Sequence, residues 1–122
     1  LLSMAKLTDL QLRALAPAKF KRLAYFECGD GWVGLLEEVV AEAKKLKLRG
    51  LTFAQVKEKW GLLRIYANGG NPAFWDYLSQ VERRSGSICE VCGAPGKLRG
   101  GGWIRALCDE HAKPSEKKGE AS

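Results

Sequence analysis

Hydrophobic residues recur at helical spacing over residues 31–48, the clearest periodic segment of the chain. They form a wide apolar stripe, which predicts a helix with one side packed in the core. Asp30 precedes the stripe as a candidate N-cap, and Gly50 follows it as a candidate helix end. The stripe consists of Trp32, Leu35, Leu36, Val39, Val40, Ala43 and Leu46.

A shorter leucine pattern predicts another helix over residues 5–16, with Thr8 as a candidate cap and Pro17 limiting its end. Residues 51–67 are rich in β-branched and aromatic residues on either side of Lys59-Trp60-Gly61, which predicts a β-hairpin. The leucines of the first pattern are Leu7, Leu10, Leu12 and Leu15.

Asn71-Pro72 is a strong helix start, because Asn caps a helix and Pro fits its first position. The pattern predicts that this helix runs to Gly86, with Arg83 and Arg84 in its last turn. We expect its buried side to consist of Phe74, Trp75, Leu78 and Val81.

Three of the four cysteines and the only histidine lie in one short C-terminal segment. They form Cys-x-x-Cys, fifteen intervening residues and Cys-x-x-His, a spacing that places four zinc ligands on two short turns. Gly93 permits a left-handed turn after the first pair, and the stretch KLRGGGWIRAL predicts a hairpin before the second. The pattern predicts one structural zinc ion held by Cys89, Cys92, Cys108 and His111.

The order of these elements predicts an α+β fold: helix, β-hairpin, helix, and then a C-terminal treble-clef or zinc-ribbon finger. We expect a single domain over residues 4–112, with the finger at 87–112 as a subregion, and a disordered tail over 113–122. Met4 is the only methionine, so we interpret it as the native start and residues 1–3 as a cloning remnant.

The lengths of the apolar segments and the net charge of the chain indicate where the protein is located and what it binds. Lys6, Asp9 and Arg13 interrupt any apolar leader, and no run approaches the ~18 apolar residues of a membrane span. We therefore expect a cytoplasmic protein that does not bind membranes. Its net charge of +6, from 20 basic and 14 acidic residues, favours acidic partners such as nucleic acid.

The loop between Cys92 and Cys108 contains no acidic residue. Its basic side chains could either offset the negative charge of three zinc-bound thiolates or contact phosphates. Trp103 could stack on a base, but the sequence favours its burial in the small finger core. The candidate binding residues are Lys97, Arg99, Trp103, Arg105, Arg83 and Arg84.

The sequence predicts that the protein is not an enzyme. Four protein ligands would leave zinc no open position, and His111, the only histidine, is one of them. Cys28 therefore has no histidine to activate it, and we expect it to be a small buried side chain. No glycine-rich phosphate loop with Lys-Ser/Thr is present.

The segments CGDGW, QVKEKWGLLRIY and CEVCGAPG followed by LCDEH resemble a group of small uncharacterised proteins from bacteria and their phages. The resemblance covers residues 27–112. It implies a helix, a hairpin, a second helix and a terminal treble-clef-like zinc finger, together with a mobile-element origin. It implies no substrate.

Two functions follow as expectations. The first is a zinc-stabilised, non-catalytic protein that binds nucleic acid or a nucleoprotein. The alternative is a phage-encoded inhibitor, of anti-CRISPR or other anti-defence type, that binds a host protein in the host cytoplasm. Four acidic and four basic residues over 28–50 give the alternative no evident DNA-mimicking surface. The sequence leaves the partner and the oligomeric state open.

Overall fold

The computed structural model describes residues 5–112. It combines three α-helices with two separate two-stranded antiparallel sheets, which confirms the predicted α+β class. No helix within this range is long and apolar enough to cross a membrane. The elements are α1 (Lys6–Leu15), a 3-10 turn (Asp30–Trp32), α2 (Val33–Lys45), β1 (Thr52–Lys59), β2 (Leu62–Asn68), α3 (Pro72–Ser85), β3 (Lys97–Arg99) and β4 (Arg105–Leu107).

Helix α2 is the central element of the core. Its predicted apolar stripe is buried from Trp32 to Ala43, as the periodicity indicates. The predicted end at Gly50 is wrong, because α2 stops at Lys45 and Lys47 adopts a left-handed φ of 59°. The N–H groups of Lys47 and Leu48 donate to the carbonyls of Lys44 and Ala43, an arrangement that usually has glycine at the left-handed position.

Helix α1 buries Thr8 and Leu12, whereas Leu7, Leu10 and Leu15 are exposed. The predicted leucine stripe is therefore not its packing face. Thr8 is not a cap either: its N–H and hydroxyl both donate to Oδ1 of Asp30, at 2.9 and 2.7 Å. Asp30 thus caps α1 and makes no side-chain cap on α2, which corrects the predicted cap.

The predicted β1–β2 hairpin is present, but its turn is shorter than the predicted Lys59-Trp60-Gly61, because Lys59 pairs with Leu62 and leaves only Trp60-Gly61 in the turn. Both turn residues have positive φ, 56° and 80°, as tight hairpins of this type require. Helix α3 packs against β2, and α2 packs against α3.

The predicted start of α3 is confirmed, since Oδ1 of Asn71 accepts a hydrogen bond from the Phe74 N–H at 2.9 Å. Phe74 and Val81 are buried and Leu78 is half-buried against the core, as predicted. Trp75 is not on the buried side, because 41% of it is exposed.

The C-terminal segment forms the predicted hairpin, in which β3 pairs with β4. One turn follows it, with the Ala112 N–H donating to the Cys108 carbonyl at 3.0 Å. This turn is all that the described residues contain of the predicted finger helix. The predicted tail at 113–122 and the predicted start at Met4 lie outside the described residues.

Candidate metal centre

The first pair of candidate ligands lies on a tight turn between Cys89 and Ala94. The N–H of Gly93 donates to the Cys89 carbonyl at 2.9 Å, and the N–H of Cys89 donates to the Ala94 carbonyl at 2.8 Å. Gly93 has the left-handed φ, 83°, that the sequence predicted for it. This turn holds Cys89 buried and Cys92 at the surface.

The second pair lies on the turn that follows β4. The N–H of His111 donates to the Cys108 carbonyl at 3.2 Å, which is the beginning of a helical turn. Residues three apart in such a turn share a face, so Cys108 and His111 point toward the same centre. Nδ1 of His111 lies 3.2 Å from Sγ of Cys108 and 3.7 Å from Sγ of Cys89.

The four ligand atoms fit a tetrahedral ion. All of them lie within 4.8 Å of one another, and the sulfurs of Cys92 and Cys108 are 3.7 Å apart. Zn–S bonds of about 2.3 Å at tetrahedral angles would place two sulfurs ~3.8 Å apart. Cys89, Cys92, Cys108 and His111 can therefore bind one metal ion as they stand.

The electrostatics of the cluster favour a cation. Burial opposes ionisation of Cys89, but hydrogen bonds from the backbone of Cys108, Cys92 and Val91 outweigh it and lower the pKa of the thiol to about 6. Hydrogen bonds to the sulfurs of Cys108 and Cys89 raise the pKa of His111. The shift at Cys89 favours the thiolate, which is the form of cysteine that binds metal. A backbone hydrogen bond from Ala94 lowers the pKa of Cys92, but desolvation and the neighbouring sulfurs of Cys108 and Cys89 outweigh it and raise that pKa. A bound metal ion would displace the remaining protons from the cluster.

The loop at 28–32 packs directly on the first turn. Oε2 of buried Glu90 accepts from the Gly29 N–H at 2.8 Å, and the Glu90 carbonyl accepts from the Gly31 N–H at 2.7 Å. The indole N–H of Trp32 donates to the Ile88 carbonyl at 2.9 Å. Sequence reasoning missed this contact, although the paired glycines beside Trp32 were a signal of close backbone approach.

The predicted binding residues divide into two groups. Arg99 is buried and donates to the Leu107 carbonyl and to Oδ1 of Asp109, at 2.9 and 2.8 Å. Arg84 donates a bidentate pair of hydrogen bonds to the Glu38 carboxylate, at 2.9 and 3.0 Å. The other predicted basic residues, Arg83, Lys97 and Arg105, are exposed or half-exposed.

The expected burial of Trp103 is wrong, because 75% of this residue is exposed. The finger core is too small to take it and is formed by Cys89, Leu107 and Cys108. Trp103 instead lines a cleft of about 270 Å³ together with Trp60, which is 62% exposed. We name this the tryptophan cleft; it is lined by Glu58, Lys59, Trp60, Gly102, Trp103 and Ile104.

Trp60 was not among the predicted binding residues. Its signal in the sequence is its position, since two-residue hairpin turns favour Asn-Gly and rarely contain tryptophan. Cys28, by contrast, lies where the sequence predicted, in the core. Burial and the nearby Glu90 and Asp30 carboxylates raise the pKa of its thiol to about 12, so it is not a thiolate at neutral pH.

Comparisons with protein-family models, with curated proteins and with solved structures find no match. The resemblance to small bacterial and phage proteins therefore stays a prediction.

Proposed function

We propose that Cys89, Cys92, Cys108 and His111 hold one structural Zn²⁺ in a treble-clef-like finger. The donor set supports zinc, because three thiolates and one imidazole in a tetrahedral array are typical of structural zinc sites. A closed shell of this kind leaves no position for a substrate or a reactive water. Elemental analysis of the purified protein tests the proposal, with one equivalent of zinc per chain as the expected result.

We further propose that the protein is a non-catalytic binding module for nucleic acid. The exposure of Trp103 carries this proposal, because it places an indole in solvent on a loop whose sequence contains only basic charges. The finger hairpin holds the loop, and Lys97, Arg105 and Arg83 supply positive charge around it. Arg99 and Arg84 serve mainly to hold the structure together.

Absence of catalysis is part of the same proposal. The Cys28 thiol is buried and un-ionised at neutral pH, and the only histidine is a metal ligand in this arrangement. Neither group is therefore placed to act as a nucleophile or as a general base.

One observation favours a protein partner instead, as expected of a phage-encoded inhibitor. Leu10, 71% exposed, lines a surface cleft of about 510 Å³ beside Tyr25, which is 44% exposed. Exposed apolar clusters of this kind often mark protein contacts.

Binding assays with DNA and RNA oligonucleotides over a range of salt concentrations decide between these functions. Phosphate contacts release counterions, so affinity for nucleic acid should fall steeply as salt is added. An unrelated protein of equal net charge is the control. The inhibitor function predicts no more binding than this control, and co-purification of a specific host protein that survives nuclease treatment.

A further inference from the structure

Two tryptophans from separate hairpins meet at one surface cleft. Trp60 lies in the β1–β2 turn and Trp103 lies between β3 and β4. Burying an indole stabilises a protein strongly, yet 62% and 75% of these two residues remain in solvent. Paired exposed indoles at adjoining turns indicate a contact surface for a flat, apolar group.

The backbone at Trp60 supports this interpretation. Its φ of 56° is in the left-handed region, which asparagine and glycine adopt far more readily than an aromatic residue does. The exposed indole gives no core packing in return. Strain kept at a position without a folding advantage is characteristic of functional sites.

The two sides of the cleft are fixed relative to each other. A Cβ added to Gly61 would lie 2.7 Å from Cδ2 of Leu98 and 3.1 Å from Cγ2 of Ile104, so this turn rests directly on the finger hairpin. Gly61 adjoins Trp60 and Ile104 adjoins Trp103 in the chain. The contact between this turn and the finger hairpin therefore holds both tryptophans at the same cleft.

Charge and size indicate what the tryptophan cleft binds. Lys59 lines it and forms no ion pair within residues 5–112. The Glu58 carboxylate is turned to the hairpin, where its Oε2 accepts from the Gly61 N–H at 2.8 Å. At about 270 Å³ the cleft is smaller than the ~300–1,000 Å³ of most small-molecule pockets. It suits one flat part of a larger, negatively charged chain.

We propose that the tryptophan cleft stacks one unpaired base of a single-stranded nucleic acid, with Lys59 beside the neighbouring phosphate. This inference rests on the proposed nucleic-acid-binding function and specifies its ligand. A single strand offers base faces to aromatic side chains, whereas a duplex hides them in its own stack. The cleft therefore binds unpaired strands in preference to duplexes and discriminates little between base sequences.

The test measures the affinity of the whole zinc-loaded protein for three fluorescent oligonucleotides of equal length. They are a mixed-sequence single strand, the corresponding duplex, and a single strand whose central positions are abasic. The abasic strand keeps every phosphate but lacks the bases that the cleft would stack. We expect the intact single strand to bind at least 5-fold more tightly than either of the others.

Variants at the cleft separate stacking from folding. Trp103→Leu and Trp60→Asn should each weaken single-strand binding about 5- to 100-fold, the range expected for loss of one stacked base. Trp103→Phe should keep most of the affinity, since a phenyl ring also stacks. Trp75→Leu is the matched control, at a tryptophan on α3 that is 41% exposed. It should leave the affinity for the single strand unchanged.

The Trp60→Asn variant also distinguishes a binding role of Trp60 from a role in folding, because melting temperature and affinity should change independently. Asparagine fits the left-handed turn better than tryptophan, so the melting temperature should stay the same or rise while binding is lost. A fall in melting temperature together with unchanged binding would show that Trp60 serves the fold, and would overturn the inference.

The results also separate this inference from the function on which it rests. Equal, salt-dependent binding of all three oligonucleotides, insensitive to both tryptophans, would reject the base-stacking cleft and leave nucleic-acid binding standing. No binding above that of an equally charged unrelated protein would reject both.

Discussion

The N–H of Gly31 donates to the carbonyl of Glu90 at 2.7 Å, and this bond joins the loop before α2 to the turn that carries the first pair of candidate metal ligands. A Cβ at Gly31 would overlap the carbonyl oxygen of Cys89. The turn between Cys89 and Ala94 and the main core therefore share one closely packed backbone contact. A substitution at this contact itself should therefore affect both sides.

Gly31→Ala should destabilise the fold by ~1–3 kcal/mol, since the added methyl meets backbone that has little room to move. It should also weaken metal retention, because the displaced carbonyl belongs to a ligand residue. Chemical denaturation and a competitive chelator titration measure the two effects. Gly34→Ala is the matched control: beyond the adjacent backbone of α2, nothing lies within 4 Å of its added Cβ, and alanine in a helix should stabilise by ~0.5–1 kcal/mol.

Cys108→Ser should release the metal and loosen residues 87–112, because structural zinc contributes directly to folding free energy. Hydrogen exchange should rise throughout this segment and remain slow in α2, whose core contacts do not involve the ligands. Cys28→Ala is the control, since this buried thiol lies outside the cluster and should leave one zinc per chain. Freshly purified wild-type protein without zinc would contradict the proposed metal.

Local chemistry was readable from the sequence wherever it depends on neighbours in the chain. Asn71 caps α3, the hairpin turns at Trp60-Gly61 within the predicted Lys59-Trp60-Gly61, and the cysteine spacing locates the candidate metal cluster. Each of these follows from residues a few positions apart. Gly93 belongs with them, since its left-handed turn is needed by the Cys-x-x-Cys spacing itself.

Features that depend on distant partners could not be read in this way. Asp30 caps a helix 22 residues earlier in the chain, a contact visible only once α1 is packed. Lys47 takes a left-handed position normally given to glycine, so the end of α2 had no sequence signal. Trp103 was expected inside the finger, but three residues of the metal segment already fill that small core.

Leu36→Ala should cost ~2–5 kcal/mol of stability, because Leu36 is 1% exposed and packs in the main core. The core contains the predicted set of Trp32, Leu36, Val40 and Phe74, with Leu78 half-buried against it. Leu10→Ala is the matched control on an exposed helix face, where the change should stay within ~0.5 kcal/mol. Equal melting temperatures for the two variants would contradict the helix orientations.

The pair Glu38–Arg84 should give a small, pH-dependent contribution to stability. The hydrogen bond from Arg84 lowers the pKa of Glu38, so the folded state binds its proton less readily than the unfolded chain does. The contribution is therefore present above the unfolded value of ~4.3 and is lost as pH falls through the lower folded value. Both side chains are 48% exposed, which limits it to ~0.2–1 kcal/mol.

Glu38→Gln should lower the free energy of unfolding by this amount at pH 7 and by progressively less in acid. Urea denaturation of wild type and variant across pH 3 to 7 measures the difference. Glu37→Gln is the control, since Glu37 is exposed and forms no ion pair among the described residues. A difference that grows on acidification would contradict the sign.

Arg99 and Arg105 face each other as partners in the finger hairpin, and substitution should separate their roles. Arg105 is half-exposed, so in the proposed nucleic-acid complex it is free to contact phosphate. Arg105→Gln should reduce the slope of log affinity against log salt by about one and leave stability nearly unchanged.

Arg99→Gln should instead cost ~1–3 kcal/mol of stability, because it removes the side chain that donates to the buried Leu107 carbonyl. Measuring salt slopes and denaturation midpoints for both variants tests this division. A slope change for Arg99→Gln without loss of stability would make the buried arginine a phosphate contact and reverse the assignment.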